Sequence, residues 1–142
     1  MVVAFSIGDK SQVVINTLKK SADDIDFYTY INIQEMIRES MLRHISFDRI
    51  VFSTKILSKS DPEGDLRELN EFIKNNSNGT EIVMIIQGKK QEGNSIDEVF
   101  INMFNSPMYT PIILEKASPA SLLQILKDDI TALKTRYYTF DI

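Results

Sequence analysis

The 142-residue sequence contains no cysteine. Disulfides, thiolate metal sites and cysteine nucleophiles are excluded together, and the absence fits a reducing, cytoplasmic setting. A single histidine, His44, stands near the end of a helix-period segment. One imidazole without thiols is a poor start for a metal site, whereas a histidine at a helix carboxyl end complements the macrodipole. No metal is expected. No apolar run is long enough to cross a bilayer, and Met1-Val2-Val3-Ala4-Phe5 lacks the basic flank of a signal peptide. A basic excess is missing too, since 16 Lys and Arg against 20 Asp and Glu leave a net charge of −4. An acidic domain of pI about 5.0 has no electrostatic footprint for nucleic acid or an anionic membrane. There is no G-x-G-x-x-G, and Gly8-Asp9-Lys10-Ser11 lacks the glycine that precedes the lysine of a phosphate-binding loop. No serine sits in a nucleophile-elbow sequence. No cofactor is expected.

Apolar residues make up 43% and charged residues 25% of the chain, so a chain of this length can bury a core as one domain over residues 1–142. The organising stretch is Phe47-Asp48-Arg49-Ile50-Val51-Phe52-Ser53. A short run rich in β-branched and aromatic residues predicts a strand buried on both faces, at the centre of a parallel sheet. Around it the pattern alternates. Strands are predicted over 2–7, 26–30, 47–53, 81–87 and 109–114, and helices over 10–20, 32–43, 62–75, 95–105 and 118–138. Asp9, Asn32, Asp61 with Pro62, and Ser118 with Pro119 read as helix starts. Val13, Val14 and Leu18 are expected to face inward from the first helix, and Ile33, Met36, Ile37 and Met41 from the second. Five strand–helix units predict an α/β fold with helices on both faces of a doubly wound parallel sheet. The second strand alternates only partly, and Pro111 would break a central ladder. Both therefore read as edges, which suits the order 2-1-3-4-5.

In such sheets chemistry gathers at the carboxyl ends of the strands. Gly8, Asp9, Ser53, Thr54, Gln87, Gly88 and Lys116 fall there. A lysine at that edge can hold an anion near the next helix's amino end, or simply lie at the surface. Asp23, Asp24 and Asp26 fall at the amino end of a strand, the wrong edge for a site, and read as a solvated turn. Asp61, Glu63, Asp65 and Glu68 open a helix, where acidic residues complement the dipole.

These residues carry a resemblance. The chain resembles a receiver domain of the response-regulator family, with the CheY-like (flavodoxin-like) fold. Residues 47–52 are similar to the third strand, which in that family ends in the phosphorylated Asp. Leu114-Glu115-Lys116-Ala117-Ser118-Pro119 is similar to the family's lysine-containing turn into its last helix. The resemblance implies a pocket at Ser6, Asp9, Ser53, Gln87 and Lys116, and the departures imply that it is vestigial. The acceptor position holds Ser53, and the acidic pair after the first strand is replaced by Ser6 and Ile7. Gln87 stands where a Ser or Thr is usual, and Ala117 where a Pro follows the lysine. Phosphoryl transfer to a carboxylate needs that Asp and a carboxylate-held Mg²⁺.

The chain is therefore expected to be a non-catalytic pseudo-receiver with no catalytic residues, acting as a protein-interaction or localisation module. The resemblance extends to the amino-terminal domain of TadZ/CpaE-type ATPases of pilus assembly, in which case the natural chain continues past Ile142. The partner is expected to be a protein or a second copy, as a homodimer, with no nucleic acid and no membrane insertion. The surface expected to meet it comprises Met103, Tyr109, Ile130, Leu133 and Tyr137. Leu133 and Tyr137 continue the apolar stripe of a long last helix past the end of the sheet. The alternative is a small α/β enzyme or anion-binding domain using the carboxyl edge.

Overall fold

Strand β1 (Val2–Ser6) sits between β2 (Asp26–Thr29) and β3 (Arg49–Ser53), and every residue of β3 is buried. β4 (Glu81–Gln87), β5 (Tyr109–Leu114) and a two-residue β6 (Tyr138–Thr139) complete one sheet of order β2-β1-β3-β4-β5-β6. The computed structural model describes residues 1–76, 79–87, 109–114, 118–136 and 138–139. The first five strands are parallel, in the expected order 2-1-3-4-5, and β6 adds an antiparallel pairing of Ile112 with Thr139 and Ile113 with Tyr138.

Strand alternation sorts the core into two layers. Val3, Phe5, Val51, Val83, Ile85, Ile112 and Leu114 pack on one face with residues of α1 (Ser11–Leu18), α4 (Pro119–Lys127) and α5 (Ile130–Arg136). Ala4, Ile50, Phe52, Ile82, Met84 and Ile86 pack on the other with α2 (Ile33–Arg43) and α3 (Pro62–Asn76). Each fully buried Val, Leu, Ile or Phe contributes about 1.5–3 kcal/mol, so two apolar faces are what a fully parallel sheet requires. No described helix is long and apolar enough to cross a membrane.

Helix starts follow local chemistry. Asn32 Oδ1 accepts from Glu35 N at 2.8 Å, Asp61 Oδ1 accepts from Gly64 N at 3.0 Å, and Ser118 and Ser121 form a reciprocal capping box. His44 closes α2 in the left-handed conformation with φ 56°. α1 departs from expectation. Asp9 makes no cap; the Ser11 hydroxyl instead accepts from Ile7 N at 2.8 Å and donates to Gly8 O at 2.6 Å. Gly8 itself turns the chain at φ 114°. This register turns Ile15 and Leu18 inward and leaves Val13 exposed, against expectation.

The last helix also differs. It breaks after Lys127, because Asp128 is extended (ψ 151°) and Asp129 Oδ1 accepts from Ala132 N at 2.8 Å to start a new helix. Two adjacent aspartates favour capping over helix interior, and they bend the chain here. The bend turns Leu133 back into the core, where it is fully buried, and Ile130 packs partly against the same cluster. The expected overhang of Leu133 is therefore corrected. The chain beyond the bend returns to the sheet as β6, so β5 is not the outermost strand. Met103, Tyr137 and the helix expected over 95–105 lie outside the described residues, and Tyr109 opens β5 beside Ile82.

Candidate functional site

The carboxyl ends of β1 and β3 lie side by side, with Ser6 in register with Phe52. Alternation nevertheless separates their two serines. Ser6 follows Ala4 toward the α2 and α3 layer, whereas Ser53 follows Val51 toward the α1 and α4 layer. Each hydroxyl is engaged by its own backbone surroundings. Ser6 Oγ donates to Tyr30 O at 2.6 Å, tying β1 to the end of β2. Ser53 Oγ accepts from Lys55 N at 3.2 Å and so starts the single 3₁₀ turn Thr54–Ile56. Ser53 is fully buried and Ser6 is 4% exposed.

Asp9 is exposed in the β1–α1 turn, and it is the one carboxylate that the expected pocket contains. Gln87 ends β4 in register with Leu114; its side chain, like all of Lys116, lies outside the description. Beneath α2, Ser6, Ile33, Met36, Phe52 and Ile56 line a cavity of about 10 Å³. That is room for about one water and none for a phosphoryl group. Among the described residues no group of three His, Asp or Glu side chains is placed to hold a metal ion.

The loop after β3 is pinned from behind. Asp65, nearly buried on α3, accepts from Ser58 N at 2.7 Å and from Gln34 Nε2 at 2.7 Å. Tyr30 stands over Phe47 edge to face, with ring centroids 6.1 Å apart. Its buried hydroxyl has no hydrogen-bond partner, and its pKa is pushed up to about 12, chiefly by burial and then by the charge of Glu39.

At the opposite end of the sheet the structure shows a residue that the sequence reading passed over. Arg49 is 1% exposed at the start of β3. Its Nη1 donates to Ile125 O at 2.7 Å and its Nη2 to Glu81 Oε1 at 3.1 Å, while Nε has no partner. The signal was available: an arginine inside an otherwise apolar strand, with a glutamate opening the next strand. Asp23, Asp24 and Asp26 fall at this amino end as expected, where Asp26 pairs in register with Val2.

Comparison with solved structures places this arrangement in a known architecture. Chemotaxis protein CheY4 of Vibrio cholerae superposes with a TM-score of 0.59 at 15% identity, covering 89% of this chain and 97% of that one. A response regulator receiver domain protein from Clostridium thermocellum gives 0.57 at 14% identity, over 95% and 98% of the two chains. A two-component response regulator from Clostridium difficile gives 0.57 at 18%, over 96% and 97%. No family model and no curated protein matches the sequence. The chain has the CheY-like receiver fold.

Proposed function

We propose that the protein is a pseudo-receiver: a domain of receiver fold that performs no phosphoryl transfer and acts by binding a protein. The observation that carries this is Ser53. At the end of β3, where the resemblance expects an accessible acidic acceptor, stands a fully buried hydroxyl that serves as the cap of the next turn. Ser6 at the neighbouring strand end faces the other layer and is spent on Tyr30 O. A phosphoryl acceptor must meet its donor in line, with a metal beside it. Neither serine is presented in that way. The setting as a regulatory and localisation domain of a pilus-assembly ATPase rests on the sequence resemblance alone.

The test is direct. The protein is incubated with acetyl phosphate, or with beryllofluoride, in the presence of Mg²⁺, and followed by intact-mass measurement and by NMR. Unchanged mass and unchanged resonances at the strand ends are expected. A stoichiometric phosphoryl adduct, or saturable shifts around Ser53 and Asp9, would favour the enzyme or anion-binding alternative and end the pseudo-receiver reading.

A further inference from the structure

Resting on the interaction-module reading and naming its surface, we infer that the groove between α2 and α3 is the contact through which two copies of this chain pair about a two-fold axis. Ile37 and Met41 of α2 and Phe72 of α3 give the groove apolar walls, and Glu71 stands on its rim. Its volume is about 410 Å³ and it is open to solvent. One end is closed by Gln34, which bridges from α2 to Asp65 and Glu68 of α3.

The occupant is argued from two features of the same helix pair. The first is a projecting apolar pair. Met41 is 59% and Leu42 70% exposed, the latter the most exposed large apolar side chain among the described residues. Leu42 follows Arg38 by one helical turn and stands just outside the groove wall that Met41 forms. Each copy therefore carries both an apolar projection and an apolar groove on one surface, which is what a self-complementary two-fold contact requires.

The second feature is charge. Arg38 on α2 and Glu71 on α3 are both exposed, and neither has an ion-pair or hydrogen-bond partner among the described residues. The neighbouring charges are already satisfied locally: Arg43 pairs with Glu39 and Arg67 with Glu63. A two-fold axis over the groove sets the free cation of one copy toward the free carboxylate of the other, twice. The chain's acidic excess thus does not oppose pairing here. The open edge of β2 offers less balance, because of the three aspartates at its start, Asp23, Asp24 and Asp26, only Asp24 has a cation beside it among the described residues, Lys127 at 3.9 Å.

The test is sedimentation velocity on the whole chain up to high micromolar concentration, with circular dichroism as the check on folding. The wild type is expected to dimerise. Leu42→Glu, a surface change, is expected to give a folded monomer. Arg38→Glu and Glu71→Arg are each expected to weaken the dimer by about tenfold, the reach of a good interfacial charge pair, and the double swap to recover most of that loss. A monomeric wild type, a dimer indifferent to Leu42→Glu, or a double swap no tighter than the single ones would each overturn the inference. The pseudo-receiver reading fails on a different measurement, the phosphoryl adduct, so the two failures are distinguishable.

Discussion

Replacing Arg49 tests how a charge is kept inside this sheet. Arg49→Ala removes the charge-assisted hydrogen bond to Ile125 O, worth about 1.5–3 kcal/mol. It also removes two buried methylenes, at about 0.8 kcal/mol each. The pair with Glu81 adds under about 1 kcal/mol, because Glu81 is 39% exposed. Against these stands a relief: a guanidinium whose buried Nε has no partner is no longer held out of water, which returns about 1–3 kcal/mol. The net expectation is a loss of about 2–3 kcal/mol. Arg49→Met keeps the stem volume and gains the same relief, so it should cost roughly half as much. Urea unfolding with unchanged slope reads both values. If Met is as damaging as Ala, the stem contributes nothing. If Ala lies within about 0.5 kcal/mol of wild type, the link from β3 to α4 is idle, and the reasoning fails either way.

Ser53→Ala should cost about 1 kcal/mol, one net hydrogen bond, and leave dimerisation intact; loss of partner binding at unchanged stability would mark Ser53 as a reactive group. Tyr30 should titrate well above the ordinary tyrosine value, because burial holds its hydroxyl neutral. Its folded pKa lies above the unfolded value of 10.0, so its contribution to stability is complete below about pH 10 and disappears as pH rises toward 12. Spectrophotometric titration of Tyr30→Phe should lack that late step, and a late step that survives the substitution belongs to another tyrosine. Leu133→Ala should lower stability by about 2–5 kcal/mol, because the side chain is fully buried; a loss under about 0.5 kcal/mol would put Leu133 back on the surface.

The sheet order was legible because buried parallel strands advertise themselves as unbroken apolar runs, as 47–53 and 81–87 do. Asn32, Asp61 and Ser118 were legible as caps because each bonds a backbone group only three residues away. The break at Asp128 was not. Leu122, Leu126, Ile130 and Leu133 keep helical spacing across it, and a polar pair on an exposed face suits a continuous helix equally well. Val13 and Val14 differ by about 100° around a helix, so which one is buried depends on a start set by Ser11 rather than Asp9. The expected pocket was legible as a set of strand ends but not as a geometry. Whether Ser6 and Ser53 share a face depends on the register of β1 against β3, which neither strand's own sequence encodes. Arg49 was hidden by its strand, since burial of a charge is decided by partners far along the chain, at Glu81 and Ile125.

The short β6 has a consequence for the order of folding. It closes the β5 edge with two residues, and the chain between the two strands runs through α4, the Asp128 bend and α5. With only two residues on each strand, this pairing has little to set against the entropy of ordering the tail until the sheet it extends is in place. Until the pairing forms, β5 presents a free hydrogen-bonding edge, interrupted only where Pro111 supplies no N–H. The interval between sheet formation and tail return is thus the stage at which this chain is most exposed to intermolecular strand pairing. Slowing the tail's return, with a flexible insertion at the bend, should raise aggregation during refolding even if the final stability is unchanged.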